Sequence, residues 1–164
     1  MTKFISISQD QFELVFNLSK EIWNDNYREM ITQDQIDYML DMIYNPERLQ
    51  KNLDDGYEWE FIYHDNSLVG YLAYVIQDDN RVFLSKIYLK TAAQGLGLGK
   101  LALNRVKEYA KTNNCKAVYL TVNRGNEKGI RAYEKAGFKI IAEEDFDIGN
   151  GYVMNDYVFE CPIE

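Results

Sequence analysis

Residues that staple, ligate or interrupt a chain are scarce in these 164 amino acids: two cysteines, two prolines and one histidine. Cys115 and Cys161 show neither C-x-x-C spacing nor neighbouring histidines, which excludes a disulfide framework and fits reduced thiols in a cytoplasmic protein. His64, beside Asp65 in a turn-forming stretch, has no ligand partners at metal spacing, so no metal site is expected. Nowhere do roughly 18 apolar residues run together. The N-terminal MTKFISISQDQF also lacks an apolar core ahead of a small-residue cleavage site, so neither membrane spanning nor export is expected. Basic residues are outnumbered 18 to 26, for a formal net charge of −8. That balance argues against a nucleic-acid-tracking surface and suits a cationic partner. Internal repeats, low-complexity tracts and Gly/Ser/Pro linkers are missing too. One domain over residues 1–164 is the expectation, large enough to bury its own core.

What the chain does have is periodic apolar pattern and many aromatics. FISIS reads as a short strand, and Phe12, Val15, Phe16, Ser19, Ile22 and Trp23 then share a helical face that should end near NDNY. Thr32 and Gln35 have capping-box spacing ahead of a second stripe, Ile36, Met39, Leu40, Ile43 and Tyr44. Asn45 and Pro46 then offer a cap and a first helical residue for NPERLQKNL. From Tyr57 to Leu89 the pattern turns to strand: YEWEFIY, LVGYLAYVI and RVFLSKIYL, separated by HDNS and QDDN, predict an antiparallel meander. A helix with Leu98, Leu101, Ala102, Val106, Tyr109 and Ala110 on one face follows. Next come a strand at KAVYLTV, a short helix stopped by Gly137, and a terminal hairpin of FKIIAEED and YVMNDYVFE around DIGNG. Together these predict an α/β (α+β) domain with a mixed sheet.

Between the meander and the next helix stands KTAAQGLGLGK, with glycines at 95, 97 and 99. Alternate glycines let the backbone approach a ligand closely, and a helix starting there aims unpaired N–H groups and a positive dipole end at an anion. A triphosphate loop would need Gly at Gln94 and Ser or Thr after Lys100, where Leu101 stands. Gly97, Gly99 and Ala102 do satisfy G-x-G-x-x-A. The ribose-binding acid expected about 20 residues on is absent, however, and an upstream antiparallel meander is the wrong setting for a dinucleotide fold.

QGLGLG, Gln94 to Gly99, resembles the Q/R-x-x-G-x-G/A signature of the GCN5-related N-acetyltransferases. NEKGIRAYEKAGF resembles that family's later N-x-x-A-x-x-x-Y-x-x-x-G-F segment at Asn126, Tyr133, Gly137 and Phe138, with Gly129 in place of the usual alanine. The N-terminal portion is similar to bacterial members that act on small amines or polyamines. The resemblance implies a single acetyltransferase domain whose mixed, mostly antiparallel twisted sheet is flanked by helices and has a splayed central strand pair.

It further implies acetyl-CoA as cosubstrate without a metal, and direct transfer to an amine in a ternary complex. By match to the family, Gln94, Gly95, Leu96, Gly97, Leu98, Gly99 and Lys100 would grip the pyrophosphate. Ile87, Tyr88 and Leu89 would line the thioester, with the Leu89 amide polarising its carbonyl. Asn126 would contact the cosubstrate while capping its helix, and Tyr133 would protonate the departing thiolate. Trp23, Tyr27 and Glu29 would border the amine acceptor.

No carboxylate stands in FLSKIYL, so the base that frees the amine is sought among Asp25, Glu29, Glu58, Glu60 and Asp156. An acyl-CoA-binding sensor without turnover is the competing expectation; Tyr133 argues against it. Homodimerisation is expected from the resemblance alone, since no residues define a contact surface.

Overall fold

In the computed structural model, which describes residues 1–164, local chemistry sets most boundaries of the N-terminal half. Strand β1 spans Thr2–Ser6 and stops short of Ser8. Ser8 is engaged elsewhere: its amide donates to Gln11 Oε1 at 2.9 Å and its carbonyl accepts from the Gln11 amide at 3.0 Å. This capping box closes a tight turn that leads into helix α1, Phe12–Tyr27. Helix α2, Gln33–Tyr44, begins where the Thr32 side chain accepts from the Gln35 amide at 3.1 Å. Helix α3, Pro46–Asp54, begins where Asn45 Oδ1 accepts from the Arg48 amide at 2.8 Å. Caps of this kind contribute about 1 kcal/mol each.

The remaining elements are β2 (Glu58–His64), β3 (Ser67–Ile76), β4 (Arg81–Leu89), α4 (Leu98–Thr112), β5 (Ala117–Asn123), α5 (Glu127–Lys135), β6 (Lys139–Gly149) and β7 (Tyr152–Pro162). The strands form one seven-stranded sheet in the order β1-β2-β3-β4-β5-β7-β6. The chain divides into two compact units, Met1–Val75 with Lys86–Gly99, and Ile76–Ser85 with Lys100–Glu164.

In the first unit β1, β2 and β3 pair antiparallel. The two-residue β2–β3 connection places Asp65 and Asn66 at positive φ, 48° and 69°, the turn geometry that matches strand twist. Its core gathers Val15, Leu18 and Ile22 of α1, Ile36 and Leu40 of α2, Leu49 of α3, and Phe61, Tyr71 and Leu72 of the sheet.

In the second unit β5 pairs in parallel with β4 only at Arg81–Ala117, Val82–Val118 and Phe83–Tyr119. β5 itself continues to Asn123. β7 runs antiparallel to β5 from Ala117–Pro162 to Asn123–Asp156, and to β6 on its other edge. Helix α4 buries Ala102, Leu103, Val106 and Ala110, whereas Leu101, expected on that face, is 47% exposed. The stripe is centred one position later than its glycine-interrupted start suggests, and Leu103 takes the place given to Leu101. No helix is long and apolar enough to cross a membrane.

Candidate active site

In the first unit the end of β4 runs into the glycine loop. Strand alternation sends Lys86 and Tyr88 to one side and Ile87 and Leu89 to the other. The Tyr88 ring lies 5.6 Å from Trp23, 6.3 Å from Tyr27 and 5.5 Å from Tyr71, between centroids. Tyr44 joins the same cluster, and its polar tips satisfy one another. Trp23 Nε1 donates to Tyr44 Oη at 3.1 Å, and the Tyr44 and Tyr71 hydroxyls share a 2.7 Å bond. Tyr27 Oη donates to Tyr88 Oη at 3.4 Å. Burial pushes the Tyr44, Tyr71 and Tyr88 phenols above their ordinary value, so all three stay protonated.

Trp23 and Tyr27, predicted at the acceptor site, are thus buried members of this ring cluster, while Glu29 is exposed in the turn after α1. Lys86 holds its ammonium 5.2 Å from the Trp59 ring centroid. Burial first, and then the Arg48 charge, push it down to about 8. A shallow depression beside α3, lined by Phe12, Pro46 and Glu47 among others, contains none of the predicted site residues.

Gly70 was not singled out from the sequence, yet it positions this end of β4. A Cβ there would lie 2.2 Å from the Tyr88 carbonyl oxygen and 3.2 Å from the Leu89 Cα, so only glycine lets β3 approach so closely. The Lys90 amide donates to the Val69 carbonyl beside it at 2.8 Å. The available signal was a glycine inside an otherwise aromatic and branched strand, which marks a close backbone approach.

Gln94 anchors the loop that follows. Its Nε2 donates to the Leu89 carbonyl at 3.2 Å and reaches Asn26 Oδ1 at 3.5 Å. Gly95 and Gly97 both adopt φ of 81°, and no atom lies within 4 Å of where a Cβ would stand on either. Gly95, Leu96 and Gly97 are exposed, while Leu98 is buried and pins the start of α4. The first amides of a helix have no partner within it and carry its positive dipole end. An open cradle of such amides fits a diphosphate, the anionic group of coenzyme A.

In the second unit Asn126 caps α5, its Oδ1 accepting from the Gly129 amide at 3.0 Å. A Cβ on Gly129 would lie 2.7 Å from Asn126 Nδ2, so the glycine at this position makes room for the capping side chain. Tyr133, half-buried on α5, packs against Phe138 and Phe159 at 6.1 Å each. Lys100 is exposed in the first turn of α4.

Among the candidate bases, Asp25, Glu29 and Glu58 are exposed. Glu60 is buried and accepts from Tyr74 Oη at 3.0 Å. Asp156 on β7 is only 7% exposed, its Oδ1 has no hydrogen-bond partner, and burial pushes its carboxyl up to about 6 against the pull of Arg124 and Thr121. No group of three His, Cys, Asp or Glu side chains is arranged to hold a metal.

With loop, tyrosine and carboxylates placed, the sequence profile of the Acetyltransferase (GNAT) family matches residues 16–138. The chain belongs to that family. It is 37% identical over 95 residues to an uncharacterized N-acetyltransferase of Mycobacterium tuberculosis, a match covering 58% of this chain and 60% of that protein. It is 29% identical over 130 residues to the spermine/spermidine N(1)-acetyltransferase of Bacillus subtilis, covering 71% of this chain and 81% of the relative. In fold it matches the PaiA N-acetyltransferase of Thermoplasma acidophilum, solved in complex with coenzyme A. That superposition has a TM-score of 0.82 over 99% of both chains at 22% identity.

Proposed function

We propose that the whole chain acts as one N-acetyltransferase domain, moving an acetyl group from acetyl-CoA to a primary amine by direct attack. The observation that carries this reading is the open amide cradle at Gly95 and Gly97, ahead of α4, in a chain of this family. Acetyl-CoA supplies the thioester when bound. The amides from Gly95 to Gly99 hold its diphosphate, with Lys100 adding positive charge and Gln94 fixing the loop to the end of β4. Ile87 and Leu89 flank the acyl group, Tyr88 contributes backbone there, and the Leu89 amide donates to the thioester oxygen as negative charge grows on it.

Asn126, its Oδ1 committed to the cap, offers Nδ2 to the cosubstrate. Tyr133 gives its phenolic proton to the departing sulfur, a sensible transfer since a thiol's ordinary pKa of about 8.5 lies near enough to a phenol's of about 10.

For the acceptor we favour a polyamine. The Bacillus subtilis relative is named for spermine and spermidine, and the chain's net charge of −8 attracts polycations. Glu29, exposed after α1, is the carboxylate proposed to meet a distal ammonium, with Trp23 and Tyr27 as the wall behind it. Two free cysteines suit a reducing cytoplasm, and a homodimer is the assembly proposed.

The test is thiol release from acetyl-CoA with a panel of polyamines, lysine peptides and aminoglycosides. Acceleration by a polyamine supports the reading. Tight coenzyme binding without acceleration by any amine makes the chain a non-catalytic acyl-CoA sensor instead.

A further inference from the structure

An alkyl ammonium cannot attack a thioester until it loses a proton, and none of the residues assigned so far takes one. We propose that Asp156 is the catalytic base that removes this proton from the incoming primary ammonium, an inference that rests on the acetyltransferase reading. Register and burial support it. Asp156 stands opposite Asn123 on β5 and opposite Glu144 on β6, and is only 7% exposed. A carboxylate oxygen enclosed in a sheet normally has a donor. Oδ1 of Asp156 has none, while the Thr121 hydroxyl bonds the carboxylate. An orphaned acceptor of this kind suits a group that receives its hydrogen only from a bound ligand.

The two faces of the β5–β7 pair divide the chemistry. Directly opposed residues on neighbouring strands share a face, and alternate residues change face. Leu120 opposes Phe159, and the Phe159 ring packs against Tyr133, so the proton donor lies on that face. Asn123 opposes Asp156 three positions away along each strand, so the carboxylate points to the other face. Aminolysis of a thioester needs a base at the attacking nitrogen and an acid at the departing sulfur, and placing the two on separate faces keeps them from exchanging a proton directly.

The proton balance closes. Asp156 takes one proton from the ammonium, and the freed nitrogen lone pair forms the C–N bond. The C–S bond breaks, and the electron pair leaving with sulfur takes the Tyr133 proton. The second N–H proton restores Tyr133 through water, and Asp156 releases its proton to solvent. Charged and polar groups facing Asp156 are Arg124, Thr121 and Asn123 from β5 and its following turn, Glu144 from β6, and Glu160 further along its own strand. Arg124 also pairs with Asp145 and Glu143, so it does not fully neutralise the carboxylate, and the Glu160 charge is held by Arg81.

The experiment compares the natural protein with Asp156→Asn and Asp156→Glu from pH 5.5 to 9.5, using an alkyl diamine and an alkoxyamine that is already neutral at pH 7. In parallel, carbon-13 NMR follows the Asp156 carboxyl in the protein without either substrate. Asp156→Asn should lower kcat/KM for the diamine at least about 100-fold at pH 7.5 and move the acidic limb of the profile up towards the amine's own pKa of about 10. It should change the alkoxyamine rate by less than about threefold and coenzyme A affinity by less than about twofold. Asp156→Glu should restore part of the diamine rate, and the NMR midpoint should lie near 6.

Equal losses with both acceptors would make Asp156 a positioning residue and overturn the proposal, as would an unchanged acidic limb. If the natural protein acetylates no amine at all, the acetyltransferase reading itself falls, and the base role with it.

Discussion

Replacing Asp156 by Asn should stabilise the protein, and by an amount that depends on pH in a defined way. Burial pushes the carboxyl up to about 6, where an unfolded chain leaves it near about 3.9. Between those values the folded state binds more protons than the unfolded one, so stability falls as pH rises through that window and levels off above it. A shift of about two units is worth about 3 kcal/mol at full ionisation.

Asparagine has the shape of the protonated acid and does not ionise. The variant should therefore be ahead by only about 0.5 kcal/mol near pH 4 and by about 2 to 3 kcal/mol at pH 8. All other titrating groups are common to both proteins and cancel in the comparison. Urea unfolding followed by circular dichroism reads the difference as a midpoint shift of roughly 1 to 2 M at pH 8 that shrinks to about 0.3 M at pH 4. A variant less stable at pH 8, or a gap of the same size at both pH values, would refute the claim that the fold holds an uncompensated carboxylate at this position.

Tyr133→Phe should lower kcat at least about tenfold while leaving coenzyme A affinity nearly unchanged, read from steady-state kinetics and calorimetry; equal turnover removes its acid role. Gly70→Ala places a methyl 2.2 Å from the Tyr88 carbonyl, so the strands must part. A loss of about 1 to 3 kcal/mol in thermal unfolding, with weaker coenzyme binding, is expected. Gly97→Ala meets no neighbouring atom but must hold a φ of 81°. It should cost about 1 kcal/mol of stability and, by filling the cradle, at least about tenfold in coenzyme A affinity. Asn126→Ala should cost about 1 kcal/mol by uncapping α5, read in the same unfolding assay.

Elements governed by local chemistry were legible in the sequence: Thr32, Asn45 and Asn126 cap the helices their spacing predicts, and the aromatic runs become strands where the turn residues bound them. The glycine loop was legible for the same reason, since φ of 81° at Gly95 and Gly97 is a property of the residue type. What depends on partners distant in sequence was not. The role of Gly70 exists only once the end of β4 lies against it. Asp156 looked like four other acids until the fold buried it with one carboxylate oxygen unpaired. Trp23 fitted both a core stripe and the acceptor site and Tyr27 the acceptor site, and the ring cluster buries both. Leu101 shows the limit of reading a helical face through glycines, where the phase of the stripe is set by packing.

Isothermal calorimetry of the natural protein with coenzyme A, and separately with pantetheine, which lacks the diphosphate, tests most directly whether the exposed amides after Gln94 bind that group. Saturating heat with coenzyme A well below millimolar concentration and none with pantetheine at the same concentration is the predicted result. No heat from coenzyme A at millimolar concentration, or equal affinity for both ligands, would contradict it.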